Sequence, residues 1–493
     1  MTTYHRMQRL LLAGWLLLAL PVVAHAQTTT PTPTPTAAVT LTATTTPVVE
    51  AEDCPALVQE ALDLTQTRCE AIDNNEVCYG HSNLEAASRP GFNDFDFSKP
   101  GDIEDVIAIG SLSLGAMDTL REEWGVLLLS VQAQVAALTQ GELTFVIFGN
   151  SDLAAQNVII PALAAQNINL RETPTNTGKL VTVIPQGERL TVSGRTADDA
   201  WLYARIVNAE QVAQAGWLSA ALVTTDQDLT TLSIADPDAP NALSPSRLGA
   251  MQAFYFESGV EDAPCAAAPD SGMLIQTPEG QASVTLFIDE VIIELDATAF
   301  VKAQSNGELT ISVLEGDGVK VTANGETRTA LPGTEITIPL DADLGANGVP
   351  NDPEPYDLED LNALPTDLLP ETVEIAEPLT ITEGVPAAGS WVWTWGVSEA
   401  TCPDGTVYGF ENSGVPSALT LADGGATVLY GGGSFNQQGT GIYTRAYVDQ
   451  NSNLYQDTLT VEALDVITGV SVIDLAAVPC TLTVDFTLRL TLG

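Results

Sequence analysis

The chain has 493 residues, 45% of them apolar and 6% aromatic, with 64 acidic residues against 17 basic ones and a net charge of −47. A surface of that sign repels phosphate backbones and anionic lipid heads, which excludes nucleic acid as a partner. Of three histidines, His5 and His25 lie in the first 26 residues, so His81 is left alone, too few imidazoles for a zinc site.

Residues 1–26 read as a signal peptide, with Arg6 and Arg9 before the apolar run "LLLAGWLLLAL" and small residues at "AHA". No later stretch is apolar enough to span a bilayer, so the expectation is a secreted or envelope-associated protein without an integral membrane segment after cleavage. Residues 27–50 alternate Thr and Pro and make a semi-rigid linker. A helix is predicted from Cys54-Pro55, capped by Asp53, with Leu57, Val58, Ala61, Leu62 and Thr65 on one face. His81 follows in a turn-like stretch and reads as a solvated loop residue. "VIAIGSLSL", "WGVLLLSVQAQV" and "ELTFVIFGN" read as strands and complete an α+β domain over 51–166.

From Leu180 onward apolar and polar residues alternate, and Asn306-Gly307 and Asn324-Gly325 are two-residue hairpin signals. Residues 341–386 hold seven Pro and twelve acidic residues but no Lys or Arg, which predicts an extended linker, with "LEDLNALPTDLLP" suited to a short helix. Residues 387–493 offer about eight strands. The fold class is therefore mainly β and multidomain, with one N-terminal helix and a C-terminal antiparallel β-barrel or sandwich.

Export and an even number of cysteines imply disulfides. Cys54 and Cys69 on one helix would sit about 22 Å apart, far beyond bridging distance. Cys402–Cys480 is the simplest C-terminal pair. Cys69–Cys78 and Cys54–Cys265 are the favoured remainder, with separate domains and one unpaired thiol as the alternative. A Cys54–Cys265 bridge would make the middle of the chain an insertion in a domain built from 51–166 plus 249–340.

The pieces "NLRETP", "VIPQGERLTVSGR", "WLYARI" and "GWLSAALV", in that order, make residues 167–224 resemble a bacterial SH3-like domain, a small β-barrel. That resemblance implies non-catalytic binding of cell-wall peptide or glycan. Five basic residues fall in this stretch, and Arg171, Arg195, Trp201, Tyr203 and Trp217 are its candidate contacts. Within 225–340, "SGMLIQTPEGQASVTLFIDEVIIELDATAFVKAQ" and "GELTISVLEGDGVKVTANGETRTALPGTEITIPL" resemble a FecR-like β domain, which implies a scaffold or partner-binding role.

Trp391, Trp393 and Trp395 alternate by two and so share one side of a strand, either filling a core, lining an apolar cavity or forming a sugar-stacking strip. "DQNSNLYQD" (Asp449, Asn451, Asn453, Asp457) carries alternate oxygen ligands but lacks the Gly and Glu of a calcium loop and reads as a turn. No metal, cofactor or catalytic residue is expected. The functional expectation is an exported non-enzymatic binding protein whose partner is cell-wall peptide or glycan, or another envelope protein. The alternatives are a carrier or sensor of a small apolar ligand through the C-terminal barrel, and a glycan hydrolase using two carboxylates.

Overall fold

The computed structural model describes residues 54–136, 139–207, 213–237, 245–259, 267–278, 283–412 and 414–492. Among them the one α-helix is Cys54–Arg68, and nearly all other regular structure is strand. The helix buries Cys54, Leu57, Val58, Ala61 and Thr65. Of this stripe, at the spacing of a single helix face, Cys54, Val58 and Ala61 pack with Trp124, Val126, Val146 and Phe148. The Cys69–Cys78 disulfide ties the helix end to the strand Glu76–Tyr79. Cys54 is buried and disulfide-bonded; its expected partner, Cys265, lies outside the described residues.

Fifteen strands form the largest sheet. They come from two separate stretches, 76–155 and 253–355. Ser151–Ala155 pairs antiparallel with Ala253–Ser258, and Thr139–Phe148 with Gly272–Gln276. What lies between folds as its own eight-stranded sheet. That insertion is wider than the 167–224 read from the sequence. Ile160–Ala164 pairs with Arg189–Leu190 and their neighbours, and Ser233–Ile234 runs parallel to Gly194–Arg195. The reason is visible in the alternation: Ile160, Ala162 and Ala164 bury one face of their strand in the insertion's core. Residues 253–340 accordingly share a sheet with 76–155 and are not a separate region.

Two hairpin signals resolve differently. Asn324 and Gly325 both take positive φ, as a two-residue turn of this hand requires. At Asn306-Gly307 only Asn306 does, because the loop between Val291–Ala303 and Glu308–Ala323 is four residues long. Along the same pair of strands, bulges lie at Asp296/Ala297 and Thr298/Ala299. Gly316 sits opposite them at φ 95°, where a Cβ would fall 2.6 Å from the Ala297 Cα.

The C-terminal strands close into an eight-stranded barrel, which decides against a sandwich. Its first strand, Gly389–Trp395, pairs antiparallel with its last, Cys480–Thr491, from Ser390↔Thr491 to Trp395↔Phe486. Cys402 lies just beyond the end of the first strand and Cys480 begins the last, and the two are bridged.

Residues 341–386 are not an extended hinge. Tyr356, Leu361, Leu364 and Leu369 are buried in the same apolar cluster as the helix. The backbone there forms 3₁₀ turns at Leu358–Leu361 and Thr366–Leu368 in place of an α-helix. The leucines supply enough apolar burial to hold the segment down, while Asp357, Glu359, Asp360 and Asp367 face water, where their repulsion is screened. The barrel is likewise docked on the large sheet. The Thr329 N–H donates to Asp465 Oδ2 at 2.8 Å, Thr329 Oγ1 to the Leu490 carbonyl at 3.1 Å, and Arg489 Nη1 to the Thr327 carbonyl at 3.0 Å. The large sheet, the insertion and the barrel belong to one compact unit.

Candidate functional site

Alternation along the first barrel strand sends Trp391, Trp393 and Trp395 to the barrel interior, where they join Leu419, Tyr430, Phe435, Tyr443, Leu459 and Phe486. They are not a solvent-facing strip. Their depths differ. Trp391 is fully buried, and its Nε1 donates to the Ala387 carbonyl at 3.1 Å. The segment containing Gly384 and Ala387 seals this end, with Tyr443 Oη 3.1 Å from the Gly384 carbonyl and 2.8 Å from that of Gly425. Trp393 and Trp395 are half-buried. Trp393 stacks on Phe486, ring centres 3.7 Å apart. Gly469 makes that possible, since a Cβ there would fall 2.2 Å from the Phe486 ring.

At the level of Trp393 the interior turns polar. Arg445, Asp457 and Ser471 occupy directly opposed positions on three neighbouring strands, Arg445↔Asp457 and Asp457↔Ser471. Arg445 Nε donates to Asp457 Oδ2 at 2.7 Å, and Ser471 Oγ donates to Oδ1 at 2.6 Å. Both carboxylate oxygens are therefore engaged, and the Asp457 side chain is 1% exposed. The guanidinium lies over Phe435 at 4.3 Å, Tyr447 at 4.7 Å and Trp393 at 5.7 Å. Among the described residues its Nη1 and Nη2 have no hydrogen-bond partner, and its side chain keeps 14% exposure. Gly433 leaves it room, a Cβ there falling 2.6 Å from Nη1. Trp393 Nε1 is buried and also without a partner. An unpartnered buried donor costs about 1–3 kcal/mol, so its persistence points to a group it serves.

The opposite end has an uneven rim. Strands two to four are short, at 6, 4 and 7 residues, whereas the last three have 10, 10 and 12. A hairpin, Glu399–Thr401 with Val407–Gly409, lies at the tall side and is held by the Cys402–Cys480 bridge. Tyr408 Oη and Tyr455 Oη are 2.6 Å apart, Phe410 sits on Trp395 with centres 5.0 Å apart, and Tyr447 stacks on Tyr455 at 4.8 Å. Burial, and then Tyr408, push the Tyr455 phenol well above its usual range, so it keeps its proton as pH rises.

The calcium-like stretch has another use. Asp449 Oδ1 accepts the N–H groups of Asn451 and Asn453, both at 2.8 Å, and Oδ2 accepts Asn453 Nδ2 at 3.0 Å, which makes it a turn; Asp457 points away into the barrel. Among the described residues no group of three or more His, Cys, Asp or Glu could hold a metal.

The candidates in the insertion are consumed internally. Trp217 and Tyr203 are buried, edge to face at 5.4 Å, with Ala235 packed beside them and Arg247 over both rings. Trp201 is half-buried against the same cluster. Arg195 Nε donates to the Leu232 carbonyl at 2.9 Å, its Nη1 pairs with Asp199 at 2.6 Å, and Arg171 Nη1 donates to the Gly178 carbonyl at 2.7 Å. Ala235 and Arg247, on chain that follows the SH3-like stretch, cover the aromatic side chains named as candidate contacts.

His81 is buried, not a solvated loop residue. Its Nδ1 lies 3.1 Å from the Trp124 carbonyl and 3.1 Å from Ser82 Oγ. The carbonyl can only accept, so Nδ1 carries the proton and cannot take one from Ser82. Burial lowers the imidazole's pKa and keeps it neutral. The most displaced carboxyl is Asp289, pushed up to about 8 by burial. It is fully buried, with Oδ1 accepting the Phe256 N–H at 2.8 Å, so no substrate reaches it.

No known family model, curated protein or solved structure matches this chain. Arg445 was the residue most readily missed: in "IYTRAYV" it shares parity with Tyr443 and Tyr447, which is the one local sign that it faces inward.

Proposed function

We propose that the chain is an exported, non-catalytic binding protein of the bacterial envelope whose C-terminal barrel holds a small ligand. Export is supported by the signal-like N-terminus and by disulfides, Cys69–Cys78 and Cys402–Cys480 among the described residues. One observation carries the barrel reading: the interior holds donors without partners, Arg445 Nη1 and Nη2 and Trp393 Nε1, among aromatic rings. In this reading the SH3-like insertion and the FecR-like strands are scaffold. The covered Tyr203 and Trp217 weigh against wall binding through that face.

The test is titration of the full chain with the neutral dye N-phenyl-1-naphthylamine, read as dye emission excited through tryptophan. Saturable one-to-one binding whose energy transfer falls in W395F is expected. Emission that rises without saturating, or transfer unchanged in W395F, overturns the barrel reading.

A further inference from the structure

We infer, resting on the barrel reading above, that the ligand is an uncharged, flat molecule bearing a hydrogen-bond-accepting carbonyl, and not a carboxylate. The hydrogen-bonding inventory sets the first half. Both oxygens of Asp457 are occupied, one by Arg445 Nε and one by Ser471 Oγ. What the layer has left to give is donors: two guanidinium nitrogens and the indole N–H of Trp393. A ligand that enters must therefore accept.

Charge sets the second half. A buried arginine alone would call for an anion, but here the guanidinium's charge is already balanced at 2.7 Å by a carboxylate that is 1% exposed. A second carboxylate would share one guanidinium with Asp457 where water screens little, and like charges that close disfavour joint ionisation. The chain's net charge of −47 adds a repelling field for any approaching anion. A neutral carbonyl takes the same hydrogen bonds without either cost.

Shape follows from the walls. The groups around the guanidinium are aromatic rings, Trp393 stacked on Phe486 and Tyr447 stacked on Tyr455. The guanidinium carbon lies over the Trp393 ring, 5.7 Å from its centre, which places both kinds of donor in one layer. Planar rings fit these surfaces.

Three probes of matched shape separate the possibilities on the full chain by isothermal titration at neutral pH: 2-acetylnaphthalene, 2-ethylnaphthalene and 2-naphthoate. The ketone is expected to bind about tenfold or more tighter than either of the others, the size of a hydrogen bond to a charged donor. W393F keeps the ring face and removes the N–H. It should shrink the ketone's advantage over the hydrocarbon without abolishing it, because the guanidinium donors remain, and an advantage that W393F leaves unchanged would overturn the indole's part; far-UV circular dichroism shows that the variant is folded. Tightest binding by the naphthoate, or equal binding of ketone and hydrocarbon, overturns the carbonyl inference and leaves the barrel reading standing. If all three probes fail while the neutral dye saturates, the inference falls alone; if the dye fails as well, the reading falls with it.

Discussion

Arg445 and Asp457 face each other directly across two barrel strands, Nε to Oδ2 at 2.7 Å, with the guanidinium over the ring of Phe435. Taking both charges out of water is costly, and the pair is tolerable because Ser471 satisfies the other carboxylate oxygen. Removing one partner leaves the other charge buried. D457A should therefore lower barrel stability by about 3–5 kcal/mol in urea unfolding, whereas the double replacement R445M/D457L should cost far less. A double-mutant cycle with no coupling between the two positions would show that the pair is not buried in solution.

Gly469 opposes Leu459 on one side and Phe486 on the other, and its missing side chain is what Phe486 fills. G469A should push Phe486 off Trp393, costing about 1–3 kcal/mol as an overpacked core does. The check is near-UV circular dichroism together with urea unfolding. A change in stability without a change in the aromatic signal would contradict the stacked arrangement.

The barrel was readable because its signals are local or nearly so: two-residue alternation put Trp391, Trp393 and Trp395 on one side, and the cysteine positions fitted a first strand pairing with a last. The polar layer was not. Arg445 and Asp457 meet only through the register set by the Asp449–Asn453 turn, and in sequence Asp457 looks like part of that turn. Tyr203 and Trp217 read as candidate contacts, but Ala235 and Arg247, well beyond them in the chain, cover them. In 341–386 the acidic count was conspicuous, while the deciding feature was where Leu361, Leu364 and Leu369 fall. His81 was misplaced because nothing in its own neighbourhood announces that the Trp124 backbone will close over it.

The hairpin turn Asp289-Glu290 places Asp289 in the core, where Phe256 N–H holds one oxygen and the other has no partner. Its folded pKa, about 8, lies above the unfolded value near 3.8. The folded state then binds this proton more tightly, so the stabilisation is complete below about pH 4 and is lost as pH rises towards 8. D289N retains the acceptor for Phe256 and removes the titration. Its stability relative to wild type should grow between pH 4 and pH 8, by up to roughly 5 kcal/mol. Urea midpoints at pH 5, 7 and 9 decide it, and a constant difference across that range would mean Asp289 titrates normally.

Trp217 fills the space between the insertion's sheet and its return segment, edge to face with Tyr203 and beneath Arg247. W217A should behave as a core truncation, lowering stability by about 3–5 kcal/mol. R171A and R195A, which remove contacts to the chain's own loops, should leave retention on purified cell walls unchanged. Loss of wall retention in R171A or R195A at full stability would restore the insertion as a binding face.

The Cys402–Cys480 bridge closes a span of 78 residues and fixes the hairpin that carries Tyr408 and Phe410 over the barrel's tall side. Loop-closure entropy for that span is worth about 4–5 kcal/mol. C402S/C480S should lose much of this in barrel unfolding, with the large sheet's transition less affected. The hairpin packs on Trp395 and Tyr455 at the rim, so freeing it should also raise both the association and dissociation rates of N-phenyl-1-naphthylamine in stopped flow. Its contacts belong to the rim and not to the donor layer, so the equilibrium affinity should change less than either rate. Unchanged rates in a destabilised variant would place the entrance elsewhere, at the low rim beside Gly433, and leave the bridge with a purely structural role.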